Sequence, residues 1–144
     1  MSVEVHIIRS GLELEVVSDR FEPEVAQKLV DRLAELAWSN AFYEAPWLTG
    51  YLAQSIAKEI GVLAASIKPL ASYAIFVEMG TAPHLIRPVN ASVLAFEGSS
   101  GEMVFTRLVR HPGTRPNPFM KRAADATEGK VLETFTQVWK ELTE

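Results

Sequence analysis

The spacing of apolar and polar positions predicts a β-hairpin followed by a long helix. Apolar residues alternate with polar ones over residues 3–7 and again over 12–16, with an Arg-Ser-Gly turn signal at residues 9–11. Such alternation is typical of two paired strands with one buried face. Over residues 23–42 the apolar residues recur at i, i+3 and i+4 instead, which predicts an amphipathic helix.

This long helix has start signals and one apolar stripe. Asp19 and Glu22 have the spacing of a capping box, and Pro23 suits the first turn of a helix. We expect the helix to pack across a sheet built from a strand at 60–67 and a hairpin at 93–105. The stripe that would make this contact consists of Val25, Leu29, Leu33 and Leu36.

The later segments add short elements and a second long helix. The pattern predicts a short helix over 47–56, a buried strand over 60–67, a short helix over 73–79 ending at Gly80, an extended crossing over 82–91, a hairpin over 93–105, and a helix over 118–142 with Val131, Phe135, Val138 and Leu142 as its core stripe. Because the strands form hairpins rather than βαβ units, we expect an α+β fold. In it, a long N-terminal helix and a C-terminal helix pack on a small, mostly antiparallel sheet with a long β-hairpin.

The composition fits one domain without covalent cross-links. The chain has 144 residues, of which 48% are hydrophobic, and no cysteine, so neither disulfides nor thiolate metal sites are expected. No signal-peptide pattern opens the sequence, and no apolar run reaches the roughly 18 residues of a membrane span. The lack of cysteine argues for no particular compartment but fits an intracellular product, and we expect no membrane partner.

Charge is unevenly distributed, although the formal net charge is only −4. Acidic residues concentrate over 13–35 and from Asp125 onward. Residues 107–122 contain no acid and five cations, which are Arg107, Arg110, Arg115, Lys121 and Arg122. Such a segment is a solvated face, a contact for an acidic subunit, or a contact for DNA phosphates, and the sequence leaves these alternatives open.

Motifs for catalysis are absent from the sequence. It contains no HExxH, GxSxG or GxxxxGKS/T motif, and its histidines (His6, His84 and His111) are isolated. A metal site of Glu78, His84 and His111 would need separate loops to converge, and no spacing supports it. The Gly-Ser-Ser-Gly run at 98–101 lies between predicted strands, so we expect a hairpin turn rather than a phosphate loop. We therefore expect no enzyme, and no catalytic, cofactor-binding or metal-binding residues.

The segment 111–119 (His-Pro-Gly-Thr-Arg-Pro-Asn-Pro-Phe) combines turn formers with a helix start. Pro112 removes a backbone donor and Gly113 permits positive φ, so this part is not regular structure. Asn117 and Pro118 have the pattern of an N-cap followed by the first helical residue. Taken alone, the segment is a rigid connector.

Three motifs, in this order, resemble a known family. They are Thr49-Gly50-Tyr51-Leu52 with Ser55-Ile56, preceded by Ala45-Pro46, then Tyr73-Ala74 with Val77-Glu78-Met79-Gly80-Thr81, then His111-Pro112-Gly113-Thr114 with Pro116, Pro118, Phe119 and Ala123. The chain is similar to the small virion-morphogenesis proteins of tailed phages, the neck or tail-completion family of the head–tail gene module. The resemblance covers roughly residues 20–128. We thus expect a single domain over 1–144, with the N-terminal hairpin over 1–18, the family-like core over 19–128 and the end of the C-terminal helix over 129–144.

The resemblance implies a structural role with no cofactor and no catalytic residue. Copies of such proteins form a ring or adaptor between head and tail tube, beside head-closure and tail-tube or tail-terminator proteins. Their expected location is the virion, and the host cytoplasm during assembly. By residue type, Thr49-Gly50 and Gly80-Thr81 are positions of special backbone geometry at helix ends. Glu78 either accepts hydrogen bonds from nearby backbone or faces solvent.

Two other function classes remain open at this point. The first is a nucleic-acid-contacting protein that presents the basic segment 107–122 to DNA, for example in the lumen of a ring. The second is a small metal-dependent hydrolase. This class rests only on Glu78, His84 and His111, whose spacing matches no metal-binding motif. In the leading interpretation, opposite charges on separate surfaces favour head-to-tail association. The contact would involve residues 82–119, with apolar contributions from Leu85, Ile86 and Phe105.

Overall fold

The structure, a computed structural model, describes residues 2–8, 11–17 and 22–143. Its elements are β1 (Ser2–Ile8), β2 (Gly11–Val17), α1 (Pro23–Glu44), α2 (Tyr51–Gln54), β3 (Ile56–Ile60), β4 (Ala64–Pro69), α3 (Ala74–Met79), β5 (His84–Ile86), β6 (Leu94–Glu97), β7 (Met103–Thr106), β8 (Val109–His111), α4 (Phe119–Glu128) and α5 (Val131–Thr143). Five helices with small antiparallel sheets confirm the α+β class.

A four-stranded antiparallel sheet in the order β1-β2-β4-β3 carries one face of the core. The predicted N-terminal hairpin is confirmed by the pairing of β1 with β2. Strand β2 also pairs with β4 in antiparallel orientation. The buried residue pairs between these two strands are Leu12–Ile67 and Leu14–Ala65. Between them, Glu13 opposes Ser66 on the outer face, because successive residues of a strand point to opposite faces.

Helix α1 covers the inner face of this sheet and is the best-predicted element. It begins at Pro23 and continues to Glu44, slightly beyond the expected end. Leu29 and Leu33 are fully buried against the sheet residues, whereas Leu36 is only half-buried. Its alanines Ala34, Ala37 and Ala41 are also buried, and these small side chains allow α4 to approach the helix closely. The expected capping box is not seen: the N-cap is Glu22 without a side-chain cap, and Asp19 lies outside the described residues.

The strand expected over 60–67 is wrong in its bounds, because residues 61–63 form a tight turn between β3 and β4 and only the part from Ala64 onward belongs to a strand, β4. The turn consists of Gly61, Val62 and Leu63, and its apolar residues give no turn signal in the sequence. Leu63 has a positive φ of 56°. Gln27 of α1 satisfies its backbone: the side-chain amide donates to Gly61 O (3.1 Å) and accepts from Leu63 N–H (2.9 Å). A distant glutamine thus supplies the polar contacts that turn residues usually supply themselves.

The single helix expected over 118–142 is also wrong, since α4 ends at Glu128 and α5 starts at Val131. Gly129 caps α4 at the break. Both helices pack on α1: Thr127 is fully buried and accepts a hydrogen bond from Asn40 (3.0 Å), and Glu141 accepts from Arg32 (3.0 and 3.1 Å). A hydrogen bond from Lys28, together with the charges of Lys28 and Arg32, holds the pKa of Glu141 below its usual value.

Two further expectations need correction, and two are confirmed. The helix expected over 47–56 is limited to Tyr51–Gln54, and the hairpin over 93–105 forms its own two-stranded sheet rather than joining the sheet under α1. The hairpin itself, with its turn at 98–101, and the short helix ending at Gly80 are confirmed.

Among the described residues, no helix combines the length and hydropathy that crossing a membrane requires.

We expect Leu33→Ala to lower the free energy of unfolding by about 2–5 kcal/mol, because it leaves a cavity in a site with no solvent access. Leu132→Ala is the matched control, since Leu132 is 74% exposed, and should change stability by less than about 0.5 kcal/mol. Urea denaturation of the three proteins measures both effects. Equal stability of Leu33→Ala and the native protein would contradict the packing of α1 on the sheet.

Candidate assembly interface

Residues 81–114 run outward and back as one long β-arm, called here the arm. Thr81 and Thr114 pair at its base, β5 pairs with β8 beyond them, and β6 pairs with β7 near the tip. The turn at 98–101 closes the tip. In the described part of the chain, these four strands join no other sheet. The two sides are unequal, because residues 87–93 connect β5 to β6 whereas only residues 107–108 connect β7 to β8.

A clasp of four residues, Gly80, Thr81, Gly113 and Thr114, closes the base of the arm. Thr81 N–H donates to Thr114 O (3.0 Å), Thr114 N–H donates to Thr81 O (3.1 Å), and the two hydroxyls lie 3.1 Å apart. Gly80 and Gly113 have φ values of 70° and 85°. A Cβ on Gly113 would overlap the Thr81 carbonyl oxygen, and one on Gly80 would lie 2.5 Å from Thr114 O. Only glycine fits both positions.

The carboxylate of Glu78 caps helix α4 from a neighbouring element. Its two oxygens accept hydrogen bonds from Met120 N–H (3.0 Å) and Lys121 N–H (3.2 Å), which are free donors in the first turn of α4. Nearby, Asn117 N–H donates to Val77 O (2.9 Å). The helix has Pro118, not Asn117, at its N-cap, and Pro118 has no side-chain acceptor. Glu78 is therefore not a plain solvent-facing carboxylate: it joins α3 to the start of α4.

The other motif residues fix the chain around this junction. Phe119 is fully buried in the core, directly after the prolines that precede α4. Gly50 precedes α2 with φ of 80°, and a Cβ there would lie 2.8 Å from the ring of Trp47. Leu52 is buried, whereas Thr49 is exposed and accepts a long hydrogen bond from Tyr51 N–H (3.4 Å). Pro112 and Pro116 are exposed on either side of the clasp.

A groove of about 890 Å³ lies between α3 and the base of the arm. Tyr73 and Phe76 form its apolar wall and are 41% and 57% exposed. Tyr73 also packs against Tyr51, with 6.2 Å between ring centroids. On the opposite side the groove is lined by His84, His111 and Arg115. Exposed aromatic residues beside a cation are a composition that favours protein contacts.

The structure brings two residues of the conceivable metal triad together, but not the third. His84 and His111 are paired across β5 and β8, with stacked rings 4.9 Å apart. His84 Nδ1 lies 2.9 Å from Ala82 O, and His111 Nδ1 accepts from Gly113 N–H (3.1 Å). Glu78 is held at α4 instead. Within the described residues, no group of three or more His, Asp or Glu side chains is placed to hold a metal ion.

The basic segment divides into paired and unpaired cations. Arg122 binds Glu44 (2.6 Å) and Lys121 binds Asp125 (2.7 Å), so these two stabilise α4 and its contact with α1. Arg107, Arg110 and Arg115 are exposed and make no ion pair with any described residue. Arg87, which sequence reasoning missed, is also exposed on the arm. It lies outside the window 107–122, and only the pairing of β5 with β8 shows that it is close to residues 107–110 on the arm.

The tip of the arm is acidic and apolar. Glu97 and Glu102, the acids of the arm, lie on either side of the turn. Hydrogen bonds from Ser100 hold the pKa of Glu102 below its usual value, so this carboxylate is charged at neutral pH. Met103 and Phe105 are 58% and 66% exposed. Farther down the arm Leu85 is exposed as expected, whereas Ile86 is half-buried.

The chain matches no known protein family, no curated protein and no solved structure.

We expect Glu78→Ala to lower the free energy of unfolding by about 1–2 kcal/mol, because α4 loses a charged cap at its N-terminus. Glu78→Gln keeps one acceptor and the shape of the side chain, so its loss should be smaller. Urea denaturation measures the free energy of unfolding of both variants and shows which one is less stable. If Glu78→Ala were as stable as the native protein, the cap would have no energetic role.

Gly113→Ala should open the clasp, while Gly101→Ala should leave it closed. Both glycines have nearly the same φ (85° and 84°), but only at Gly113 would the new Cβ overlap backbone. Each variant carries the left-handed backbone penalty of about 1–2 kcal/mol. A difference in hydrogen exchange between the two variants therefore reports the overlap at Gly113 alone. Hydrogen exchange at Thr81 and Thr114 N–H is the measurement, with faster exchange expected only in Gly113→Ala. Equal exchange in the two variants would argue against the clasp.

Proposed function

We propose that this protein is a non-enzymatic structural component of a tailed virus or provirus. It forms or joins a ring at the head–tail junction, or completes the tail. Its neighbours in the virion would be further copies of itself, a head-closure protein, and a tail-tube or tail-terminator protein. The single observation that carries the proposal is the arm, a long hairpin fixed at its base that exposes apolar side chains its own chain does not cover.

The rigidity of the arm's base supports an assembly role. A flexible hairpin loses conformational entropy when it docks, and this loss subtracts from the binding free energy. The clasp and the Glu78 contact hold the base in place before any partner arrives. Two of the motifs that resemble the phage family, those around Gly80 and Gly113, form this base, and Tyr51 of the third motif packs against Tyr73 of the second. These contacts support a role of the motifs in positioning the arm.

The side chains of the arm support a protein partner rather than a small substrate. Leu85, Val89, Met103 and Phe105 are all more than half exposed. Burial of such side chains contributes roughly 25 cal/mol per Å² of apolar surface, whereas an exposed ion pair contributes only about 0–1 kcal/mol. Apolar contacts would thus supply most of the affinity, and the arginines would select the partner.

A second candidate function is contact with DNA, for which the unpaired arginines are the specific observation. Arg87, Arg107 and Arg110 lie on the arm and Arg115 directly follows it, and none of them has an acidic partner among the described residues. In a ring, these cations would repeat around the lumen and face phosphates. The net charge of −4 disfavours DNA binding by the free chain. The two candidates therefore differ in whether DNA binds before or only after assembly.

Light scattering over a range of protein and salt concentrations, with and without the adjacent head and tail proteins, tests the proposal. We expect self-association, or association on one of these partners, and ring-shaped particles by negative-stain electron microscopy. A chain that stays monomeric at high concentration and ignores every such partner would contradict the proposed function. Binding of the monomer to duplex DNA, weakening steeply with salt, would favour the second candidate instead.

A further inference from the structure

We propose that the tip of the arm of one copy docks in the groove of a second copy. The tip surface consists of Ala95, Glu97, Met103 and Phe105, and the groove is the one between α3 and the base of the arm. This inference rests on the proposed function, and it adds which two surfaces meet and with what orientation.

The register of the arm shows which tip residues share a face. Ala95 pairs with Phe105 and Glu97 pairs with Met103. Directly opposed residues of antiparallel strands point to the same side, and so do residues two positions apart. Glu97, Met103 and Phe105 therefore form one exposed surface, apolar in the middle and acidic at the end of the arm. The opposite face carries Leu94, Phe96 and Val104, of which Leu94 and Val104 are half-buried and Phe96 is 40% exposed.

The groove complements this surface in side-chain chemistry and in charge. Tyr73 and Phe76 offer exposed aromatic rings, to which Phe105 and Met103 are suited as ring and thioether partners. Arg115 lines the same groove without an ion pair among the described residues, and it would meet Glu97. The base of the arm, in contrast, carries Arg110 and would repel the Arg115 side of the groove. Of the two ends of the arm, only the tip carries acidic residues, Glu97 and Glu102.

The clasp prevents the tip from docking in the groove of its own chain. Gly80, Thr81 and Thr114 line the groove, so the arm starts there. The paired residues follow one another along the arm, from Thr81–Thr114 at the groove to Glu97–Met103 beside the turn, so the tip is at the end of the arm opposite to the groove. The tip of a second copy is therefore the occupant that we assign to the groove. Two different patches that complement each other give a head-to-tail contact, which closes into a ring when the rotation permits.

Complementation between two defective variants tests this docking. Phe105→Asp disables the tip and Phe76→Asp disables the groove, and both positions are exposed enough to tolerate the change. Each variant alone should associate about tenfold more weakly than the native protein or worse. A 1:1 mixture keeps one intact tip and one intact groove, so it should form dimers and stop there. Sedimentation velocity distinguishes monomers, dimers and rings, and Leu132→Asp on α5 is the control that should assemble normally.

A charge exchange tests the orientation. Glu97→Arg and Arg115→Glu should each weaken association by about fivefold, within the range of exposed ion pairs. The double variant should recover it. Circular dichroism and thermal unfolding of every variant exclude loss of the fold as the cause.

The outcomes separate this inference from the proposed function. If the native protein assembles and Phe76→Asp assembles equally well, the tip docks elsewhere and only the inference falls. The same conclusion follows if the native chain binds a head or tail protein but never itself. If the native chain binds neither itself nor any of these partners, the proposed function falls as well. Dimers in the mixture, together with rescue by the double variant, would establish both surfaces.

Discussion

The two hydrogen bonds from the backbone of α4 to the carboxylate of Glu78 are the contact on which the rest of this structure depends. They link the short helix before the arm to the helix after it, so both ends of the arm are tied to one point. The first turn of α4 has free N–H groups that must find acceptors, and an ordinary N-cap would satisfy them locally. Here the acceptor comes from α3 instead. A local requirement of one helix thereby becomes a constraint on tertiary structure.

That constraint explains how the chain tolerates so much exposed apolar surface. Large contiguous apolar patches on a monomer favour non-specific association, and exposed sheet edges favour unwanted strand pairing. The arm has both features, yet its base is fixed by backbone pairing at Thr81 and Thr114 and its strands are short. A partner must therefore accept the arm in one geometry. Rigidity at the base limits the number of wrong complexes that exposed side chains would otherwise permit.

The sequence predicts those parts of the fold whose signals are local. The stripe of α1 and the alternation of the N-terminal hairpin are strong because buried residues repeat with one period over many positions. Two of the features that the sequence does not predict depend on contacts between distant residues. The turn at 61–63 is satisfied by a glutamine 34 positions earlier, and Glu78 caps a helix 42 positions later. The stacking of His84 on His111 follows from strand register, which neither residue's neighbours encode. The motifs can be recognised in the sequence, but the sequence does not show that Thr81 contacts Thr114 or that Tyr51 contacts Tyr73.

The unequal sides of the arm have a consequence for how such a chain can change length. Residues 87–93 bridge β5 and β6 outside any strand pairing, so insertions there leave every register intact. An insertion between β7 and β8 is different, because only residues 107–108 join these strands, so an added residue changes the position of β7 relative to β8. Homologous chains should therefore differ in length on the outgoing side and keep a constant return side. One side of the arm is free to adapt to new neighbours, and the other preserves the alignment between tip and base.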